Sequence, residues 1–378
     1  MLIGAEDHPP YRRPMVSKDL LAGKAAAARL LLEPAEFWAA NDIDLRPATT
    51  VEQIDTGSGR VHLAGSGPIG YDSLLIATGA RARRLAGSRG ASIHTLRGVA
   101  DVAPLHRTIS EDGSLLIIGA GLIGCEAAAT ARTLGAQVTV LHAGNAPLDR
   151  IAPPAVSEFY RKLHIGHGVD FNDNIALQQV ENVDDRCVIA TSGTDRNWMA
   201  RTALIAIGST PDTALAQAAG LLVDNGIVVD EQYRTSAPGV FAAGDVASRY
   251  SPLLGRRERT EHWNSAQEQG AAAAAAILGQ STAAVAVPWG WTNQYGLNLQ
   301  FAGWIHPDDE VVYRGSPETP NFSAWAVRDG RVIGAMGIGR PADIRAARTL
   351  IGSEIPIDTT ELADESIDPA AIRDSVGR

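Results

Sequence analysis

The chain has 378 residues, 45% hydrophobic and 20% charged, a composition that folds as a globular protein but is too long for one ordinary core, so two or three domains are expected. A net charge of −10, with no basic run carrying interleaved aromatics, argues against nucleic acid. No uncharged apolar stretch nears the roughly 18 residues that cross a bilayer, and the start lacks the basic and apolar segments of a signal peptide, so a cytoplasmic protein without a membrane anchor is expected. The only cysteines, Cys125 and Cys187, are too far apart for a CxxC pair or a thiolate cluster; no metal site is expected, and Cys125 reads as a small core residue.

In chain order, strands are expected at 2–4, 61–63 and 74–77, with Gly65-Ser66-Gly67 before Pro68 as a hairpin turn. A second zone runs from 104 to 224. It opens with the apolar strand 115–118, the turn Gly-Ala-Gly-Leu-Ile-Gly at 119–124 and an alanine-rich helix, then continues with strand 137–141 and strand 203–207 before Gly208. That alternation predicts a doubly wound α/β domain. From Gly226 the strands 227–230 and 239–245 and a helix at 263–278, rich in small residues and expected to pack tightly, return to the first domain. From 288 onward apolar alternation broken by glycine turns predicts a small α+β domain with a mostly antiparallel sheet. The expected fold is therefore α/β, with two Rossmann-like nucleotide-binding domains, the first discontinuous (1–103 with 225–285), the second at 104–224, and a C-terminal α+β domain at 286–378.

In the turn at 119–124, Gly119 permits the bend, Gly121 lets backbone N–H groups approach a pyrophosphate, and Gly124 lets helix and strand pack closely; the helix N-terminus adds partial positive charge. Strand, turn and helix in that order point to a nicotinamide dinucleotide. The acid that holds the ribose 2′-OH of NAD belongs at the end of the second strand, where this chain has His142. No acid stands there, and Arg150 is the nearest cation for a 2′-phosphate; the balance leans to NADH over NADPH. Glu126 reads either as a group at the nicotinamide end of the pocket or as a partner of the helix dipole.

The order Pro10-Tyr11-Arg12-Arg13-Pro14-Met15-Val16-Ser17-Lys18, ATGA at 77–80, GAGLIGCEAAATART at 119–133, AAGDV at 242–246, Trp263-Asn264-Ser265-Ala266-Gln267 and Trp291-Thr292-Asn293-Gln294 resembles the FAD-dependent ferredoxin reductases of ring-hydroxylating dioxygenase and bacterial cytochrome P450 systems. The likeness spans nearly the whole chain. It implies FAD besides NAD(P)H. Glu6 matches the acid on the FAD ribose, Arg13 and Lys18 lie along the flavin with Lys18 near its reactive nitrogen, Thr78 and Gly79 contact FAD, and Asp245 bonds the ribityl chain. Trp263 matches the tryptophan at the exposed flavin edge. Val51, Ala77, Gly208 and Gly244 are counted with the cofactor-binding residues, and Lys18, Glu126 and Trp263 with the catalytic ones. Outside the resemblance, Glu6 and Lys18 read as surface charges and Trp263 as core.

The resemblance implies hydride transfer from NAD(P)H to FAD and single electrons onward to a small 2Fe–2S ferredoxin. For that acidic partner Arg256, Arg257 and Arg259 are the candidate dock, or else a solvated arginine loop. Family members begin with a strand, a GxGxxG turn and a helix of about 30 residues ahead of the strand that Leu2 to Glu6 resembles. Met1 is accordingly expected to be a misplaced start; the alternative is a non-catalytic NAD(P)-binding remnant that lost FAD binding by truncation, and the stretch as given would hold FAD poorly. A flavin disulfide reductase would need a redox cysteine between Pro10 and Phe37, where there is none. An apoptosis-inducing-factor type shares the architecture.

Overall fold

The computed structural model describes residues 1–372 apart from 89, 185–186, 195, 281–286, 307 and 354, with the backbone alone at 111–112. The chain forms two compact units: 1–14 with 26–81 and 209–286, and 15–25 with 82–208 and 287–378. The expected domains were divided by ligand and these units by packing. They cut the chain differently, in part because strand Ile93–His94 pairs with Thr202–Ile205 in the sheet of the second unit.

In the first unit, Leu2–Ile3 runs parallel to Leu45–Arg46, and Leu74–Ile76 parallel to Val240–Ala242. Val51–Asp55, Arg60–Leu63 and Ile69–Gly70 form an antiparallel meander, so the glycine-rich stretch at 65–67 does turn a hairpin. Ile54, Val61, Leu63, Ile76, Ile227, Val229, Val240 and Ala242 share one core. Strand Ala247–Ser251 lies parallel to Ile227–Val229 and antiparallel to Arg256–Glu258, a hairpin not foreseen. The helix expected at 263–278 spans Trp263–Ile277, but its small residues do not pack on every face: the buried ones are Asn264, Ser265 and Ala273. Alanine has high helix propensity and little apolar area, so such a helix forms readily while leaving most of its circumference half-exposed.

The second unit contains a five-stranded parallel sheet in the order Val169–Asn172, Gln137–Leu141, Ser114–Ile118, Thr202–Ile205, Ile93–His94. Its middle strand is apolar from Leu115 to Ile118 because such a sheet is covered on both faces; Leu115, Leu116 and Ile117 are at most 1% exposed. An antiparallel meander, Leu177–Asp184, Cys187–Ser192 and Asn197–Ala200, lays Val180, Val188 and Ala190 over Leu116, Ile118 and Ile205. Residues 289–338 form a five-stranded antiparallel sheet ordered Trp289–Gln294, Leu297–Gly303, Arg331–Ile338, Phe322–Arg328, Glu310–Arg314. Helix Pro341–Ser353 closes it, Ile344, Ala347, Leu350 and Ile351 meeting Trp325, Val327 and Ala335. The α/β architecture with a C-terminal α+β sheet is the one the alternation predicted.

Candidate functional site

In the second unit the turn 119–124 leads from strand Ser114–Ile118 into helix Leu122–Thr133. Gly119 has φ +104°, and a Cβ there would strike the Ala206 carbonyl; only glycine fits. A Cβ on Gly124 would strike the Gly119 carbonyl, whereas one on Gly121, the residue capping the helix, meets nothing. The space in front of Gly121 is therefore open to a ligand, which is what a phosphate approaching the helix N-terminus requires. Gly208 follows the sheet's Thr202–Ile205 strand with φ +101°, its carbonyl accepting from the Arg83 N–H at 2.9 Å. Cys125 is buried, and burial raises its thiol well above the usual range; it is an inert core residue.

Glu126 lies in the second turn of that helix, only 3% exposed, too far in to serve as a partner of the helix end. Its Oε1 accepts from Lys18 Nζ at 2.7 Å and from Thr292 Oγ1 at 2.7 Å, and its Oε2 from the Ser17 hydroxyl. Lys18 is 14% exposed at its side chain, on the π-helical segment Val16–Leu20 whose geometry breaks at Lys18. That segment is fastened to the unit by Thr130 Oγ1 donating to the Ser17 carbonyl at 3.1 Å and by His106 bonding the Leu21 carbonyl at 2.8 Å. Two charges taken from water cost more than their attraction returns unless further hydrogen bonds complete them. Here two hydroxyls do so, and the pair holds a fixed cation and a fixed anion in a dry place. Lys18 and Glu126, 108 positions apart, are thus brought together as one group.

His142 directly follows strand Gln137–Leu141. Its Nδ1 accepts from the Ala120 N–H at 3.3 Å, so its Nε2 carries the proton and donates to Asp149 Oδ1 at 3.2 Å. Asp149 Oδ2 accepts from the Asn145 N–H at 3.0 Å. The loop between them is pinned to the glycine turn by the Leu148 N–H on the Ala120 carbonyl at 2.9 Å, with Leu148 buried at φ +60°. The fold thus brings a carboxylate beside the strand end in Asp149, a residue sequence reading did not single out; an Asp in the loop after the strand was the available signal. Arg150 is exposed.

In the first unit Glu6 accepts from the Tyr11 hydroxyl and from Arg13 Nη2, each at 2.6 Å. Burial raises the Glu6 pKa, but these two donors outweigh it and the net direction is down. Val51 packs on the unit's core. Ala77 and Thr78 are exposed; Thr78 Oγ1 donates to the Asp212 carbonyl at 2.7 Å, and the Gly79 carbonyl accepts from the Asp212 N–H at 2.9 Å. Gly244, at φ +79°, donates its N–H to Gln269 Oε1 at 2.9 Å, next to the half-buried Asp245. Trp263 begins its helix half-buried. Beside it Asn264 Nδ2 and Ser265 Oγ are buried without a hydrogen-bond partner among the described residues, a costly state that a polar ligand at this helix start would relieve. Burial lowers the His262 pKa, against the nearby Asp245 and Glu261. Of the three arginines expected to dock a partner, Arg256 and Arg257 are exposed, Arg257 also donating to the Val229 carbonyl at 3.0 Å. Arg259 is turned inward to the Asp245 carbonyl (3.0 Å) and Glu261 (2.5 Å), its side chain only 7% exposed.

A family model described as pyridine nucleotide-disulphide oxidoreductase matches residues 1–270, and one described as reductase C-terminal matches 289–372. The anthranilate 1,2-dioxygenase system ferredoxin–NAD(+) reductase component of Burkholderia cepacia is 37% identical over 97% of this chain and 91% of its own. Putidaredoxin reductase of Pseudomonas putida is 35% identical over 97% and 88%. A crystal structure of the covalent putidaredoxin reductase–putidaredoxin complex superposes with a TM-score of 0.94 at 34% identity, covering 100% of this chain and 92% of that one. The ferredoxin reductase for the CYP199A2 system of Rhodopseudomonas palustris gives 0.92 at 30%, covering 97% and 92%. Fold, site and likeness define a pyridine-nucleotide-linked flavoprotein oxidoreductase. Within that class the chain belongs to the ferredoxin reductase family.

Proposed function

We propose that the chain is an NADH:ferredoxin reductase in which 1–103 with 225–285 hold FAD, 104–224 hold the nicotinamide nucleotide and 286–378 form an interface domain. The buried Lys18–Glu126 pair carries this reading: a dry ion pair closed by two hydroxyls is expensive as architecture and useful as preorganised charge. Bound FAD would supply the conversion of a two-electron hydride donor into single-electron transfers. The fixed Lys18 ammonium offers a place where negative charge gained on reduction would be balanced, and Glu126, on the helix that follows the dinucleotide turn, fixes that ammonium. Glu6, Arg13, Val51, Ala77, Thr78, Gly79, Gly244, Asp245 and Trp263 are the FAD ligands of the proposal, with Gly119, Gly121, Gly124, His142, Arg150 and Gly208 on the dinucleotide side.

NADH is favoured over NADPH because the Asp149 carboxylate, held by His142 and the Asn145 N–H, offers an acceptor for a ribose diol and repels a 2′-phosphate. The covalent complex of a relative with putidaredoxin supports a ferredoxin-type acceptor; the proposal takes it to be a small acidic 2Fe–2S ferredoxin with Arg256 and Arg257 as its dock, since Arg259 serves the protein's own backbone. E126Q tests the central element. It should retain FAD yet slow flavin reduction by NADH, followed in a stopped-flow instrument, about 10–100-fold, the range for one positioned charged group. Reduction at the wild-type rate would remove the pair from the reaction.

A further inference from the structure

Behind Glu126 lies a second layer of buried polar groups. Gln294 Nε2 donates to Thr292 Oγ1 at 3.2 Å, His164 Nε2 lies 2.8 Å from Gln294 Oε1, and the Tyr295 hydroxyl lies 3.1 Å from His164 Nδ1. Thr292 and His164 are 0% exposed and Gln294 1%. Their proton directions follow one from another. An ionised carboxylate only accepts, so Thr292 spends its single hydroxyl proton on Glu126 and accepts from Gln294. Gln294 must therefore face Thr292 with its amide nitrogen and His164 with its oxygen. His164 then carries its proton on Nε2, and its bare Nδ1 accepts from Tyr295. Every donor in the row points toward Glu126.

We propose that Thr292, Gln294 and His164 are positioning residues that act through Glu126: the row, oriented from the Tyr295 hydroxyl inward, holds the Glu126 carboxylate ionised and turned to Lys18. A proton on Oε1 would meet Lys18 and Thr292, which already donate there, and one on Oε2 could be taken only by a rotated Ser17 hydroxyl, so the surrounding donors favour the carboxylate. Burial supports the required state of the imidazole by lowering His164 to about 4, against the bond to Gln294, which raises it. A second observation bears on the outer end. Tyr295 occupies, at φ +52°, the first position of the two-residue turn joining strands Trp289–Gln294 and Leu297–Gly303. Asn, Asp or Gly is ordinarily found there. A tyrosine in that strained position is compensated by its bond to His164 and by stacking on His167, with ring centroids 3.7 Å apart.

The other titratable groups near the Glu126 carboxylate are Lys18 on its own segment, Cys125 on the same helix and Tyr160 on helix Pro154–Gly166. Burial drives both Cys125 and Tyr160 upward, so neither competes as an anion. The role assigned to Glu126 rests on the reductase reading, but the positioning claim can be measured without it. Infrared difference spectra of the full chain, taken against E126Q, give the pH at which the protonated carboxyl band of Glu126 appears. T292V should move that pH upward by about 1 unit, the worth of one charge-assisted hydrogen bond, T292S should match the wild type, and Q294M and Y295F, which act through Thr292, should move it less in the same direction. Titration of T292V and Q294M with the wild type, even at a lowered melting temperature, would overturn the proposal, and an unshifted Y295F would remove His164 from it. Should T292V not fold, Q294M and Y295F carry the same test. A failed reductase assay with these shifts intact would count against the reductase reading alone.

Discussion

Asp149 reaches the strand end from seven positions past His142, and its carboxylate is aimed by a backbone N–H and an imidazole whose tautomer the Ala120 N–H sets. D149N keeps the shape and removes the charge. The preference for NADH over NADPH should therefore fall about tenfold or more, seen as the ratio of kcat/KM values or, without any turnover, as the ratio of NAD⁺ to NADP⁺ dissociation constants by calorimetry. An unchanged ratio would exclude Asp149 from nucleotide choice. At this scale the sequence was legible where chemistry sits inside a motif: Gly119 and Gly124 could be read from their run, His142 was recognised as a departure, and Glu126 was noted with two readings left open. Asp149, Ser17 and Thr292 could not be assigned, because their partners are set by a loop's path or by contacts between segments far apart in sequence, 109 positions for Ser17 and 166 for Thr292.

Among elements, the strand at 137–141 matched the structure to the residue, and the neighbouring strand and helix were foreseen in place. A long apolar run ending in a glycine turn leaves few alternatives. The meander at 177–200 was missed. Its strands bury one face only, as in the alternation of Cys187–Ser192, and the outward polar residues dilute the hydrophobic signal. The hairpin formed by Ala247–Ser251 and Arg256–Glu258 was missed for the related reason that it is short and arginine-rich. Its exposed Arg256 gives the docking proposal an element to act on. R256E should raise the KM for ferredoxin about 3–10-fold, more at low ionic strength, while NADH-driven reduction of an artificial acceptor stays unchanged. Equal losses in both assays would show that the hairpin supports the fold rather than a partner.

For the whole molecule, the succession of α/β alternation and C-terminal antiparallel sheet could be read from periodicity, whereas the assignment of residues 15–25 to the second unit could not. That segment is short, its apolar residues follow no clean period, and its place depends on Lys18 and Ser17 meeting Glu126. No helix among the described residues is long and apolar enough to cross a membrane. The central claim is that one chain joins a hydride donor to a one-electron acceptor through a flavin. It is tested most directly by following the visible flavin bands of the purified native protein under anaerobic conditions while NADH and then oxidised ferredoxin are added. The account predicts that about one equivalent of NADH bleaches the bands and that ferredoxin restores them. Nucleotide binding by a protein that carries no flavin, or bands that NADH leaves unchanged, would contradict it.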